Sequence, residues 1–186
     1  MKNFAPIKNA RELTACAMFA ALIAVGAFIK IPIGLVPVTF QVLFAAMAAF
    51  VLGPRVGTTA VVVYIMAGLA GAPIFIKGGG VWYIFEPTFG FLLGFAAAVL
   101  VSDAIAVRAK GKFSKYILAS LAFIAVLYAV GLPYLYCIVK FYMGVSLPVG
   151  KLLTAYFLVF LPNDVLSCAV AAVAAFKIKP MLKIFK

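Results

Sequence analysis

Six apolar stretches, each close to the length of a membrane crossing and nearly free of charge, dominate the chain. They run from Leu13 to Ile29, Val38 to Leu52, Val56 to Gly71, Thr88 to Val107, Tyr116 to Val139 and Leu152 to Phe176. About 20 apolar residues in helical form cross the hydrocarbon of a bilayer, and in that medium the backbone must satisfy its own hydrogen bonds. The stretches therefore predict an all-α integral membrane protein with six transmembrane helices. Composition excludes a water-soluble fold: 68% of the 186 residues are hydrophobic and 11% charged, against roughly 45–50% and 25% in soluble domains. No Ser-rich or acidic segment marks a second unit, so residues 1–186 read as a single transmembrane domain.

A net charge of +12 would suit nucleic acid, but the basic residues sit between the apolar runs. With the N-terminus inside, Lys2, Lys8, Arg11, Arg55, Arg108, Lys110, Lys112, Lys115, Lys177, Lys179, Lys183 and Lys186 fall on the inner side. Lys30, Lys77, Lys140 and Lys151 fall outside. Twelve against four is the positive-inside pattern, and it predicts both termini in the cytoplasm and no nucleic-acid role. The first apolar run follows basic residues as a signal peptide does, but further spans follow it, so it reads as a retained helix.

Catalytic equipment is sparse. The chain has no histidine, the commonest general base and metal ligand. Gly78-Gly79-Gly80 is not part of a phosphate-binding G-x-x-x-x-G-K-[ST] loop. Cys16, Cys137 and Cys168 lie in or at the ends of spans without metal-binding spacing. These features predict neither an enzyme nor a metal site. Of four carboxylates, Glu12 reads as a solvated cap or a partner of Arg11 and Lys8, and Asp103 as an interfacial charge near Arg108 and Lys110.

Asp164 differs, because it interrupts the apolar run Ala155 to Phe176. A charge at that depth costs about 2.5–3.5 kcal/mol on insertion scales and faces protein or a cavity. Pro162 opens the helix locally and Asn163 adds an amide, making a polar notch. Two readings compete: a structural ion pair with Lys or Arg on a neighbouring helix, and ligand contact.

The outer loops supply the remaining candidates. Loop one, Ile31 to Gln41, is apolar and proline-stiffened, which suits a cover over a hydrophobic pocket with Thr39 or Gln41 pointing inward. Loop three, Lys77 to Thr88, joins three glycines to Trp82, Tyr83 and Glu86, a wall for a flat polar ring or an interfacial aromatic belt. Loop five brings Lys140, Tyr142, Ser146 and Lys151, cations suited to an organic acid. In the first span Ala17 with Ala21, and Ala20 with Ala24, form small-residue stripes that permit close helix contact, within this bundle or with a partner.

Several of these segments, in order, resemble the biotin-specific S components of energy-coupling-factor (ECF) transporters, the BioY family. The matching stretches are Ile31-Pro32-Ile33-Gly34 through Val36-Pro37-Val38-Thr39-Phe40-Gln41, Leu52-Gly53-Pro54-Arg55-Val56-Gly57, Gly78-Gly79-Gly80 leading to Pro87-Thr88-Phe89-Gly90-Phe91-Leu92-Leu93-Gly94-Phe95, and Phe160-Leu161-Pro162-Asn163-Asp164. The resemblance implies a six-helix S-component bundle in a prokaryotic plasma membrane, binding biotin near its outer side. It also implies docking on a transmembrane coupling protein carried by two ATPases, which consume the ATP; the chain itself would hold no cofactor. Thr39, Gln41, Trp82, Tyr83, Glu86, Lys140, Tyr142, Asn163 and Asp164 then become the substrate-binding candidates, and Ala17, Ala20, Ala21 and Ala24 the docking surface. The chain departs from the family where a lysine commonly follows the aspartate, since Ser167 stands there, and Lys140 becomes the substitute cation. Glu86 likewise stands where Gly or Gln is common. The competing class is a self-sufficient secondary carrier for a small organic acid or vitamin, with Asp164 as its coupling site, although no internal repeat supports it.

Overall fold

The computed structural model of the chain describes residues 9–32, 36–107, 112–146 and 148–178, with the backbone alone for Asp103 and Val107. The expected pairing of Asp103 with Arg108 and Lys110, and the loop-one residues Ile33, Gly34 and Leu35, lie outside the described residues.

Helix α1 spans Ala10–Phe28. Its alanine-rich sequence meets no proline, and tertiary packing holds Gly26 in the last turn. The chain then forms a minimal antiparallel pair, β1 (Lys30–Ile31) with β2 (Val38–Thr39), in register Lys30↔Thr39 and Ile31↔Val38. β-Branched residues suit the pairing, and Pro32 and Pro37, lacking N–H donors, limit the ladder to two pairs. This pair moves the start of the second helix from the expected Val38 to Gln41.

Helix α2 covers Gln41–Met47 and continues through a wide π-type turn, Ala48–Leu52. Gly53 breaks it at φ 90°, a conformation that glycine adopts freely, and Pro54 opens α3 (Pro54–Leu69) at its first turn. A short 3-10 helix, Val81–Phe85, lies in loop three. Helices α4 (Phe89–Val107) and α5 (Phe113–Cys137) follow; α5 contains Pro133 and continues through Ile138–Tyr142. The last span is divided: α6 (Val149–Leu152) runs into a wide turn, Leu153–Leu158, before α7 (Leu161–Ile178).

Four segments, Ala10–Phe28, Phe89–Ala106, Phe113–Tyr142 and Val149–Ile178, are long and apolar enough to cross a membrane. Gln41–Leu52 and Pro54–Leu69 are apolar but shorter. At 1.5 Å per residue the former reaches about 18 Å, short of a hydrocarbon core of about 30 Å. The strand pair and the Gly53-Pro54 break consume the residues that would have lengthened it.

Helices α4 and α5 pack backbone to backbone. A Cβ on Gly90 would stand 2.4 Å from Tyr134 Cβ, and one on Gly94 2.9 Å from the Leu127 carbonyl oxygen. The core between the helices is aromatic, with Phe50 edge-on to Tyr116 at 6.3 Å and to Phe123 at 6.4 Å. Such contacts add to the area buried. At the helix ends opposite loops one and three, Glu12 meets Arg55 at 3.4 Å. The sequence suggests Arg11 and Lys8 for Glu12; Lys8 lies outside the described residues, and among those described the fold supplies Arg55, because α1 packs along the start of α3.

Candidate functional site

The break before α7 builds the site. Leu161 starts the helix and Pro162 falls in its first turn, where a missing N–H costs nothing. The Asp164 N–H bonds to the Phe160 carbonyl at 3.1 Å. Its carboxylate thus stands in the first turn, at the positive end of the helix dipole, although its residue is 5% exposed. The Tyr128 hydroxyl donates to Oδ2 at 2.5 Å, and Asn163 Nδ2 lies 3.4 Å from Oδ1. Among the described residues no Lys or Arg pairs with Asp164.

Asp164 forms part of the wall of a cavity of about 40 Å³. Polar lining comes from Thr39, Gln41 and Thr88, and the apolar wall includes Val36, Pro37, Phe91, Phe95, Leu127 and Phe160. Gln41 is 2% exposed. Its Nε2 donates to the Tyr64 hydroxyl at 2.8 Å, and the Tyr64 hydroxyl donates to the Ile74 carbonyl at 3.1 Å. Thr39 Oγ1 donates to Gln41 Oε1 at 3.3 Å, and Asn163 Nδ2 reaches the Thr39 carbonyl at 3.3 Å. One hydrogen-bonded chain therefore joins loop one, α3 and α7 around the cavity. A buried network satisfied in this way holds its members in fixed orientations.

Of the sequence candidates, Thr39, Gln41 and Asp164 meet on the cavity wall, and Asn163 braces it from behind. Tyr83 is one step removed: it is buried and shares a 2.8 Å hydrogen bond with Thr88 Oγ1. Burial raises its phenol above the ordinary tyrosine value, so at neutral pH it is an uncharged hydroxyl. Trp82, Glu86, Lys140 and Tyr142 stand elsewhere. The tight 3-10 turn that buries Tyr83 leaves Trp82 82% exposed. Glu86 pairs with Lys77 at 2.7 Å, Lys140 bonds the Tyr136 hydroxyl at 3.0 Å, and Tyr142 stacks on Phe85 at 4.8 Å.

Tyr128, Tyr64 and Thr88 escape the sequence reading. Tyr128 is wedged edge-on between Phe157 at 4.9 Å and Phe91 at 6.2 Å. Its one signal is a hydroxyl inside an apolar span, where a buried O–H needs an acceptor. The alanine stripes separate by orientation: Ala17 and Ala21 are exposed, while Ala20 and Ala24 pack partly against the core.

Several apolar helices long enough to cross a membrane, packed around a small cavity with a buried carboxylate, define an integral membrane protein. The family model for BioY matches residues 1–184, and the chain belongs to the BioY family. It is 35% identical over 172 residues to the biotin transporter BioY of Thermotoga maritima, covering 92% of this chain and 97% of that one. It is 45% identical over 136 residues to a probable biotin transporter BioY of Lysinibacillus sphaericus, covering 73% and 69%. The fold is shared with a crystal structure of the S-component for biotin from an ECF-type ABC transporter, with a TM-score of 0.79 and 23% identity over 94% of this chain and 95% of that one.

Proposed function

We propose that the chain is the biotin-capturing S component of an ECF-type ABC importer, a transport protein and not an enzyme, with residues 1–186 acting as one substrate-binding domain. The observation that carries this reading is Asp164: a buried carboxylate, without a cation among the described residues, on the wall of a cavity it shares with Gln41 and Thr39. Biotin's ureido ring offers two N–H donors and one carbonyl acceptor, which call for a buried acceptor beside a donor. Asp164 supplies the acceptor, with Gln41 and Thr39 alongside. Phe91, Phe95, Leu127 and Phe160 offer apolar surface to the thioether ring and chain. Family membership and relatives named as biotin transporters support the ligand.

The cavity is far smaller than the roughly 300–1,000 Å³ of small-molecule sites. Val36 and Pro37 of loop one, which line it, must therefore move outward as ligand enters. The reading includes six membrane crossings with both termini in the cytoplasm, supported by the twelve-to-four distribution of basic residues. Exposed Ala17 and Ala21 offer a flat helix face to a transmembrane coupling protein, itself driven by two ATPases. Uptake of labelled biotin by cells that hold this chain with and without a coupling module tests the assignment. Uptake that requires the module is expected. Accumulation in vesicles by the purified chain alone would favour a secondary carrier.

A further inference from the structure

A biotin molecule whose ureido ring lies at Asp164 carries its own carboxylate at the other end, and among the described residues no cation lines the cavity. Four lysines belong to the outer segments: Lys30, Lys77, Lys140 and Lys151. Lys77 is committed to Glu86 at 2.7 Å. The Lys140 ammonium bonds the Tyr136 hydroxyl and lies 5.2 and 5.4 Å over the Tyr136 and Phe141 rings, none of them cavity residues. Lys151 is on α6, which contributes nothing to the cavity wall.

Lys30 is placed differently, on two independent counts. Its backbone pairs with Thr39, and Thr39 lines the cavity. Its ammonium donates at 3.0 Å to the carbonyl of Ile76, which also lines the cavity. The charge therefore stands where loops one and three meet at the cavity rim. An ammonium has three N–H donors, and among the described residues this one uses a single donor, on a neutral carbonyl.

We propose that Lys30 is the specificity-determining residue for the ligand's carboxylate, taking the place for which sequence reasoning nominates Lys140. This rests on the functional reading above. Lys30 receives the carboxylate through a charge-assisted hydrogen bond while still bridging the two loops. A solvent-facing rim moderates the gain, placing it between that of an exposed ion pair and a buried one.

The test compares biotin with its uncharged methyl ester on the detergent-purified full chain. Lys30→Met is expected to weaken biotin about five- to tenfold and leave the ester within about twofold. Lys30→Arg is expected to retain the preference for the acid, and Lys151→Met to behave as the unaltered chain. Equal losses for acid and ester in Lys30→Met would make Lys30 a loop latch only and overturn the proposal. An unchanged acid-to-ester ratio with both affinities intact would overturn it too. Failure of the unaltered chain to bind either compound would instead remove the functional reading, and the Lys30 assignment with it.

Discussion

Tyr128→Phe removes one oxygen from the site and leaves the ring on Phe91 and Phe157 in place. The lost bond is the 2.5 Å donation to Asp164 Oδ2. Hydrogen bonds to charged groups contribute about 1.5–3 kcal/mol, and a buried acceptor left without its donor bears the desolvation cost. With Asp164 5% exposed, little water is on hand to replace the hydroxyl, so the destabilisation belongs in that range. For a chain of this length each kcal/mol moves the melting temperature by about 2–4 °C, which gives a fall of about 3–12 °C. The sign changes in an Asp164→Ala background. There the phenol of Tyr128 has lost its acceptor, so Tyr128→Phe should be neutral or stabilising. Melting can be followed with a thiol-reactive fluorophore, because Cys16 and Cys168 are buried and exposed Cys137 can be blocked first. Equal losses in both backgrounds, or none in either, would refute the assigned partnership.

Other expectations follow from packing and placement. Gly90→Val should prevent a monodisperse preparation, since even a Cβ meets Tyr134 at 2.4 Å; recovery of folded protein at the unaltered level on size exclusion would contradict the α4–α5 contact. Lys77→Met should change stability, followed by thermal melting, by no more than about 1 kcal/mol, because the pair with Glu86 is exposed to solvent. Ala17→Trp or Ala21→Trp should abolish uptake while the isolated subunit still binds ligand, both side chains being exposed; equal loss of binding would make that face internal packing. Tags at residues 1 and 186 should be reached from the cytoplasm alone, and labelling of either on intact cells would overturn the orientation.

Asp164 was legible because a carboxylate in an apolar span is expensive wherever it points, and that expense needs no knowledge of neighbours. Thr39 and Gln41 were legible as polar residues ending an apolar loop. Tyr128 was not: it is one of eight tyrosines, and only the packing of α5 beside α7 gives its hydroxyl an acceptor. Lys30 and Lys140 look alike in sequence, and a bond spanning 46 residues, from Lys30 to Ile76, distinguishes them. Trp82 and Tyr83 are adjacent, yet the turn between them sends one to the surface and the other inward. The divided last span was half visible in Pro162, while the wide turn at Leu153–Leu158 leaves no mark in the pattern of apolar residues.

Calorimetric titration of the purified chain with biotin, beside the Asp164→Ala variant, bears most directly on the central claim that Asp164 receives the ligand. Saturable one-to-one binding is expected for the unaltered chain. The variant should bind about 1.5–3 kcal/mol more weakly, roughly ten- to a hundredfold, while remaining monodisperse. Undiminished affinity in the variant would contradict the site, and absence of biotin binding by the unaltered chain would contradict the function.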